Sequence, residues 1–371
     1  MKIAFIGGHL SPLLAVIDEL PKNIEAVVIG RKHALEGDKV VSLEYQTITK
    51  RGILFENIIT GRLQRRFTAR TILSLLKFPF GFIQSFAVLK KIKPDVIMSF
   101  GGSVSFPVSL AGFLLGIPIV VHEQTLEAGL SNKIVSLLAK KVCISWESSS
   151  KFFPKSKIVL TGNPIRKFPI SNFLASRRSG QFPISNKFPT IYITGGSLGS
   201  HGINVLVEGC LEKLLNHYQI IHQTGDAKEY GDFDRLKKLK NNLDDSLGKR
   251  YILKKFIDPR EVGIILQKAD LVISRSGINS ITELLYFDKP SLLIPLPFSQ
   301  NNEQFKNAQF LSKQGLGEIV VQEKITPDDL YNKIIFMINN IDKYKKSAIS
   351  VKILIEEDAA KKIIKVLKST V

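Results

Sequence analysis

The chain has 371 residues, 44% of them hydrophobic and 23% charged, which excludes a disordered or fibrous protein. This length is too great for one ordinary hydrophobic core and predicts two domains of comparable size. The net charge of +19, from 52 basic and 33 acidic residues, favours a polyanionic partner without distinguishing nucleic acid, anionic lipid and phosphorylated substrate.

The first half of the chain alternates short apolar segments with helical patterns. The sequence predicts strands over residues 3–6, 26–29, 96–99, 119–121 and 142–144. Helices are predicted between them, over residues 13–20, 83–92 and 109–115. Such alternation indicates βαβ units and a parallel sheet.

Residues 97–121 carry no charge and need a separate interpretation. A membrane-spanning helix requires about 20 apolar residues without interruption. Gly101-Gly102, Pro107 and Pro118 interrupt this segment, so we interpret it as strand, glycine loop, helix, turn and strand. The N-terminus also lacks the long apolar run of a signal peptide.

The composition changes over residues 167–189, which are rich in Ser, Pro, Phe and Arg, and we predict a linker there. Alternation then resumes, with predicted strands over residues 191–194, 220–223, 251–256, 271–274 and 291–294 and a helix over 278–287. We therefore expect an N-terminal domain over residues 1–166 and a C-terminal domain over 190–371, with a cleft between them. Ligands of such doubly wound sheets bind at the carboxyl ends of the strands.

The cysteines and histidines indicate a cytoplasmic protein without a structural metal. Cys143 and Cys210 are isolated from each other, which is typical of a reducing compartment. The six histidines never pair at metal-ligand spacing, so we expect no zinc site.

Residues 195–199, with the sequence GGSLG, follow a predicted strand and open a helical segment. Glycines at this position let backbone amides approach a phosphate, and a helix N-terminus favours the anion. A plain tight turn would give the same pattern. The segment differs from the GxGxxG dinucleotide fingerprint, which disfavours an NAD enzyme.

Two further segments of the second half suit a nucleotide and a sugar. Glu283 lies two turns into the helix that follows residues 274–277 (SRSG), where a carboxylate can accept both ribose hydroxyls. Residues 297–307 are rich in Asn and Gln, whose amides both donate to and accept from sugar hydroxyls. An exposed helical Glu and a polar surface loop are the simpler alternatives.

Candidate bases lie at strand ends of the first half. His9 follows Gly7-Gly8 at the end of the first strand, where it can act as a general base near neutral pH. Glu123 is a second candidate base. The simpler alternative for His9 is a structural role, which is the more common one for a single histidine. Arg166, after Gly162-Asn163-Pro164-Ile165, is placed to reach a diphosphate.

Residues 62–82 interleave basic and large apolar side chains, which is typical of a segment in the membrane interface. The cations at this segment include Arg65, Arg66 and Arg70, and the aromatic side chains include Phe78 and Phe80. A core helix with a basic face and a nucleic-acid patch are the alternatives.

In their order and spacing these motifs resemble the bacterial glycosyltransferases of the MurG family over almost the whole chain. The most specific matching segments are 100–105 (FGGSVS), 122–124 (HEQ), 128–133 (AGLSNK), 162–166 (GNPIR), 195–197 (GGS), 275–277 (RSG), and Gln304 with Asn307-Ala308.

The resemblance implies a GT-B fold, with two Rossmann-like domains facing across a cleft and the last helix packed back on the N-terminal domain. It also implies the activity: transfer of N-acetylglucosamine from UDP-N-acetylglucosamine to lipid I, giving lipid II in peptidoglycan synthesis. The transfer would invert the anomeric carbon without a metal ion or cofactor. The protein would be cytoplasmic and peripheral on the inner face of the plasma membrane, with an anionic membrane surface as partner.

The resemblance also assigns roles to residues. The implied donor ligands are Ile257 for uracil, Glu283 for ribose, Ser197 and Arg166 for the diphosphate, and Gln304, Asn307 and Thr125 in the sugar region. Gly7, Gly8, Gly101 and Gly102 would receive the acceptor's diphosphate, with His9 and Glu123 as catalytic candidates.

Three departures from the family pattern are visible. Only Gly7-Gly8-His9 remains of a first loop that usually reads Gly-Gly-Thr-Gly-Gly-His. Thr125 replaces a usual Asn, and Glu303 replaces a usual His or Gln. The remaining alternatives are a related transferase that glycosylates another lipid, such as diacylglycerol, and a basic nucleic-acid-binding protein, for which we find no recognised motif.

Overall fold

The computed structural model describes residues 1–33, 41–61, 77–166, 187–196, 199–227, 229–351 and 355–371. The chain divides into two compact units. Unit 1 comprises Met1–Arg166 and Glu356–Val371, and unit 2 comprises Lys167–Ile355. Each unit contains a parallel sheet with interleaved helices, which confirms the predicted α/β fold class. Most of the predicted linker, residues 167–186, lies outside the described residues.

Unit 1 is built on a seven-stranded sheet in the order β3-β2-β1-β4-β5-β6-β7. Its strands are β1 Lys2–Ile6, β2 Glu25–Gly30, β3 Leu54–Asn57, β4 Val96–Ser99, β5 Ile119–Glu123, β6 Lys141–Ile144 and β7 Ile158–Leu160. All neighbouring strands are parallel, with Ile6 of β1 opposite Ser99 of β4. The chain order reverses between β1 and β4, so their carboxyl ends form the switch point at which such sheets bind ligands.

Helices cover both faces of this sheet. They are α1 Leu10–Asp18, α2 Leu43–Lys50, α3 Phe78–Ile92, α4 Ser105–Leu114, α5 Leu130–Leu138 and, from the end of the chain, Ala359–Thr370. This last helix packs on α1 and buries Ile363 and Leu367 in the same core as Phe5. A second core cluster lies on the opposite face, around Ile97 and Val121.

Unit 2 is built on a six-stranded parallel sheet in the order β10-β9-β8-β11-β12-β13. Its strands are β8 Thr190–Thr194, β9 Gln219–Gln223, β10 Tyr251–Lys254, β11 Leu271–Ser274, β12 Ser291–Leu293 and β13 Gly317–Ile319. The chain order reverses between β8 and β11, which places the ligand-binding edge of this sheet at their carboxyl ends.

The helices of unit 2 follow its strands in turn. They are α6 His201–Glu208, α7 Leu211–Leu215, α8 Asp232–Asn242, α9 Asp245–Arg250, α10 Pro259–Lys268, α11 Ile278–Tyr286, α12 Glu303–Lys313, α13 Pro327–Asn339 and α14 Ile341–Val351. We number the last helix of the chain, Ala359–Thr370, as α15. Among the described helices of both units, none combines the length and apolar character needed to cross a bilayer.

The uncharged segment 97–121 folds as interpreted, into β4, a glycine loop, α4 and β5. The predicted strand over residues 251–256 is shorter than expected, since β10 ends at Lys254. Strands β3, β7 and β13 were not predicted, because each is a short strand at a sheet edge and only partly buried. A strand of this kind lacks the continuous apolar run that identifies a buried one.

Candidate functional site

Two glycine loops meet at the carboxyl ends of β1 and β4 in unit 1. The first contains Gly7 and Gly8, and the second contains Gly101 and Gly102. A side chain on Gly8 would place its Cβ 2.5 Å from the carbonyl oxygen of Gly101, and one on Gly102 would lie 3.0 Å from the Cα of Gly8. Gly101 and Gly102 also have positive φ angles of 86° and 85°. Only glycine fits this backbone-to-backbone contact. Gly8 and Gly102 are exposed, so an anion can approach the bare backbone at this edge.

His9 lies directly after the first glycine loop and begins α1. It occupies the N-cap position with an extended backbone, but its side chain makes no capping hydrogen bond. Burial lowers the pKa of the His9 imidazole below its usual value of 6.5, and the negative charge of Glu123 opposes this shift. The structure therefore brings the two predicted bases close together and keeps His9 neutral, the form that can accept a proton.

Glu123, at the end of β5, is buried and fully hydrogen-bonded. Its Oε1 accepts from the backbone N–H and the hydroxyl of Thr125, at 2.9 and 2.6 Å. Its Oε2 accepts from the Gly129 N–H at 2.9 Å and the Asn132 side-chain amide at 3.0 Å. Three N–H donors and the Thr125 hydroxyl, whose single proton is shared with the Glu127 carbonyl, surround this carboxylate and compete with a substrate proton for its lone pairs. The geometry favours His9 as the base, with Glu123 and Thr125 organising the loop between β5 and α5.

His122, which neighbours Glu123 in the sequence, has a structural environment. It is fully buried, and burial lowers the pKa of its imidazole to about 4. Its Nε2 lies 3.2 Å from the carbonyl oxygen of Gly162 and 3.3 Å from the hydroxyl of Ser145. A permanently neutral histidine held in this way joins the ends of β5, β6 and β7.

In unit 2 a glycine-rich loop follows β8 and leads into α6. A Cβ on Gly195 would lie 2.3 Å from the backbone of Gly199, and one on Gly199 would lie 1.9 Å from the carbonyl oxygen of Thr224. The Gly196 carbonyl accepts from the side-chain amide of Gln223 at 3.0 Å. The loop is thus held close to neighbouring backbone, as a phosphate-binding turn requires. Ser197, the predicted diphosphate ligand, lies outside the described residues.

Arg275 braces this loop from the end of β11. Its guanidinium donates to the carbonyls of Ile294 and Pro295 at 2.8 and 3.1 Å. It also donates to the hydroxyl of Ser200 at 2.6 Å and to Oε1 of Gln322 at 2.5 Å. Burial lowers the pKa of Arg275 to about 10, which leaves it charged at neutral pH. Its four bonds hold together the segments that follow β8, β11, β12 and β13.

Helix α11 begins at the same edge, directly after Arg275-Ser276-Gly277. Gly277 is its N-cap residue and offers no side chain to the first turn, so the helix N-terminus is open to an anion. Glu283 lies further along α11 and is partly exposed. Burial raises the pKa of Tyr192 on β8, and the negative charge of Glu283 raises it further.

Gln304 and Asn307 lie on α12, after β12. The Gln304 side-chain oxygen accepts from the Leu296 N–H at 3.0 Å, which leaves its amide N–H groups for another acceptor. Asn307 is completely buried and donates to the Ser276 carbonyl at 3.0 Å. The geometry therefore suits Gln304 as a direct ligand, whereas Asn307 braces the start of α11.

The predicted donor residues of unit 2 follow the carboxyl edge of its sheet, whereas Arg166 and Thr125 belong to unit 1. Ile257, 2% exposed, follows β10, the glycine-rich loop follows β8, Glu283 follows β11 and Gln304 follows β12. Four strand intervals of about 4.8 Å separate β10 from β12, a span of roughly 19 Å. An extended nucleotide sugar suits this edge, with its base towards Ile257 and its hexose towards Gln304.

Arg166 has a different partner from the predicted diphosphate. Its Nε donates to Asp18 on α1 at 2.9 Å, and Asp18 also accepts from Arg51 at 2.7 Å. The side chain is 11% exposed. A diphosphate would have to compete with Asp18 for this guanidinium, and the role of Arg166 stays a prediction.

The predicted membrane segment is only partly described: Arg65, Arg66 and Arg70 lie outside the described residues. Phe78 stacks on Phe106 of α4 with ring centroids 5.1 Å apart, and Phe80 is 54% exposed. Helix α3 packs on α4, and α4 on α5. These three helices carry five exposed large apolar side chains, Phe80, Ile83, Phe113, Leu114 and Leu137, to which we refer as the apolar patch.

The structure adds residues whose roles sequence reasoning did not assign. Asn132 and Arg275 belong to the quoted motifs, but only their hydrogen-bond partners reveal them as braces of the two edges. Glu44, which no motif contains, has its carboxyl group against Gly7. The available signal for Glu44 was an acidic residue in a first helical turn, which normally indicates a favourable helix dipole and nothing more.

Comparison with known proteins agrees with this architecture. Residues 6–144 match the glycosyltransferase family 28 N-terminal domain, and residues 190–365 match the glycosyltransferase family 28 C-terminal domain. A crystal structure of MurG from Acinetobacter baumannii superposes with a TM-score of 0.69 at 24% identity, covering 100% of both chains. At this identity the match supports the fold.

Curated relatives extend the match to sequence. A Bacillus cereus protein is 35% identical over 353 residues, covering 93% of each chain. A Clostridium kluyveri protein is 34% identical over 372 residues, covering 98% of this chain and 96% of its own. Both are named UDP-N-acetylglucosamine–N-acetylmuramyl-(pentapeptide) pyrophosphoryl-undecaprenol N-acetylglucosamine transferases. The resemblance inferred from the motifs is confirmed, and the chain belongs to glycosyltransferase family 28.

Proposed function

We propose that this glycosyltransferase transfers N-acetylglucosamine from UDP-N-acetylglucosamine to the undecaprenyl-diphospho-muramyl-pentapeptide lipid I, forming lipid II. The observation that carries this proposal is the line of donor residues along the unit 2 edge, from Ile257 to Gln304. The names of relatives at 34–35% identity over at least 93% of the chain support the same donor and acceptor.

The proposed reaction inverts the anomeric carbon without a metal ion. The acceptor hydroxyl oxygen bonds to the anomeric carbon as the bond from that carbon to the diphosphate breaks, and the electron pair leaves with UDP. His9 takes the hydroxyl proton. The open N-terminus of α11 and the backbone of the glycine-rich loop offset the charge that develops on the diphosphate.

A transfer assay with purified protein tests this function. UDP-N-acetylglucosamine and a lipid I analogue should yield a disaccharide product, and EDTA should leave the rate unchanged. UDP-glucose and diacylglycerol serve as the alternative donor and acceptor. Transfer to diacylglycerol in preference to the lipid I analogue would assign the chain to a different lipid pathway within the family.

Alanine in place of Glu283 should weaken UDP binding. A carboxylate that accepts two ribose hydroxyls contributes about 1–3 kcal/mol, which corresponds to roughly a 5- to 150-fold higher Kd by calorimetry. Glu212→Ala, an exposed helical glutamate of the same unit, is the matched control. An unchanged Kd in Glu283→Ala would remove this residue from the ribose site.

We also propose that the protein binds the membrane surface through the apolar patch of α3–α5, together with the basic segment 62–77. The five large apolar side chains of the patch are between 52% and 69% exposed, and the whole chain carries a net charge of +19. Apolar side chains that enter the interface and cations near anionic headgroups give reversible, salt-sensitive binding. The lipid-linked acceptor makes such contact necessary, because its tail stays in the bilayer.

Charge on the patch should abolish vesicle binding. Ile83→Glu with Leu114→Glu removes two apolar groups, each contributing about 1.5–3 kcal/mol when buried, so co-sedimentation with anionic vesicles should fall more than tenfold. Replacing Arg65, Arg66 and Arg70 with Glu should have the same effect. UDP affinity should stay unchanged in both variants. Phe336→Glu on α13, 50% exposed in unit 2, is the control, and vesicle binding by the patch variants equal to that control would exclude this surface.

A further inference from the structure

Glu44 is a partly buried acid that the proposed reaction leaves without a role. It lies in the first turn of α2, whose N-cap Ser42 accepts from the Tyr45 N–H. Its Oε1 is buried and has no hydrogen-bond partner among the described residues. An ionised carboxylate in such a position is far more costly than a neutral carboxyl group. The geometry alone therefore favours the neutral form.

The carboxyl group lies against the first glycine loop. A Cβ on Gly7 would lie 1.6 Å from Oε1 of Glu44, and a Cβ on Gly30 would lie 3.0 Å from Oε2. Gly7 directly follows β1, and Gly30 is the last residue of the adjacent parallel strand β2. Gly8, the next residue, packs on the backbone of Gly101. Glu44 thus contacts the first of the two loops proposed to receive the acceptor's diphosphate, and it reaches the second only through the packing of Gly8 on Gly101.

Burial raises the pKa of Glu44 from its usual value of 4.5 to about 7. The charged or titratable side chains at the neighbouring ends of the described elements are His9 after β1, Arg31 and Lys32 after β2, Tyr45 on α2 and Glu56 on β3, whereas Lys2, Glu25 and Lys50 lie at the opposite ends of β1, β2 and α2. Three of them have partners elsewhere. Arg31 donates to the Thr60 carbonyl, and Glu56 pairs with Lys91 at 2.9 Å. The Nζ of Lys32 lies 5.5 Å from the centroid of the Tyr45 ring.

We propose that Glu44 is a positioning residue of the acceptor-diphosphate site, which supports the glycine loop in its neutral form and weakens acceptor binding when it ionises. This inference rests on the proposed function. A negative charge beside Gly7 repels a diphosphate held at the same loop, whereas a neutral carboxyl group only packs. Linkage makes the effect reciprocal, so a bound diphosphate must raise the pKa of Glu44 further.

The test measures the binding of a short-chain polyprenyl-diphospho-sugar, a diester whose charge is constant between pH 6 and 9. In the wild type, the Kd of this probe should rise about tenfold as the pH increases through 7, since the negative charge that Glu44 gains beside the bound diphosphate has roughly that effect. In Glu44→Gln, which stays neutral, the Kd should not change with pH. Glu56→Gln, a nearby ion-paired glutamate, is the matched control and should keep the wild-type profile.

Stability gives a second readout that does not depend on any ligand. The neutral form of Glu44 stabilises the fold fully below pH 4.5, and this contribution is lost as the pH rises to about 7. Wild type should therefore lose thermal stability relative to Glu44→Gln across this window. If Glu44→Gln does not fold, the carboxyl resonance of ¹³C-labelled wild type must show a Glu44 pKa that rises when the probe binds.

Identical pH profiles of Kd in wild type and Glu44→Gln would overturn the proposal, as would an unchanged Glu44 pKa on binding. Binding with the expected pH dependence but no transfer of N-acetylglucosamine would instead refute the proposed function and leave the Glu44 site in place.

Discussion

Alanine in place of His9 is expected to lower kcat by about 10²- to 10⁴-fold, the range that a positioned general base contributes. UDP affinity should stay near the wild-type value, because the residues proposed for uracil and ribose, Ile257 and Glu283, belong to unit 2 whereas His9 belongs to unit 1. The wild-type rate should rise with pH and level off below pH 6.5, since burial lowers the pKa of His9 and only the neutral imidazole accepts a proton.

Single-turnover kinetics and calorimetry with UDP separate these effects. His217→Ala, which removes an exposed histidine from unit 2, is the matched control and should keep full activity. A loss smaller than tenfold in His9→Ala would assign the base to another group. A wild-type pH profile that His9→Ala does not alter would lead to the same conclusion.

Alanine in place of Glu123 is expected to destabilise the protein by about 3–5 kcal/mol, since it removes the acceptor of four donors at the end of β5. Transfer should fall as well, because the loop between β5 and α5 loses its anchor beside His9. Glu123→Gln should show a smaller stability loss, since its amide keeps one acceptor oxygen and places N–H groups against N–H donors.

Denaturant unfolding compared with initial rates distinguishes an anchor from a base. Glu147→Ala, at an exposed position of the same unit, is the control and should leave both unchanged. If Glu123→Gln retained wild-type stability but lost more than a hundredfold in kcat, Glu123 would be the base and His9 its neighbour.

The central strands were predictable because their composition is decisive. β1, β4, β5, β8 and β11 are almost entirely buried, and each contains a continuous run of at least three apolar residues, as is typical of parallel sheets. The glycine loops were predictable for a related reason, since glycine at a strand end indicates backbone that must approach something closely. Gly8 and Gly101 approach each other.

Partners across the fold were not predictable. The sequence identifies Glu123 as an acid at a strand end, but it does not show that Asn132 and Gly129 occupy one of its oxygens. Arg166 was predicted to reach a diphosphate because its motif lies where the first half of the chain ends; the sequence does not show its ion pair with Asp18, and its role stays a prediction. Long-range contacts of polar side chains have no local sequence pattern, and they decide what a titratable group does.

The return of helix α15 to unit 1 constrains the order of folding during synthesis. Ile363 and Leu367, both 0% exposed, complete the core cluster that contains Phe5 of β1 and Leu13 of α1. The ribosome makes residues 1–166 of unit 1 first, but the core of this unit stays incomplete until residues 356–371 have left the exit tunnel. Unit 2 is contiguous in the chain and can close earlier. A fragment that ends at residue 166 would therefore expose the apolar surface that Ile363 and Leu367 cover in the complete unit.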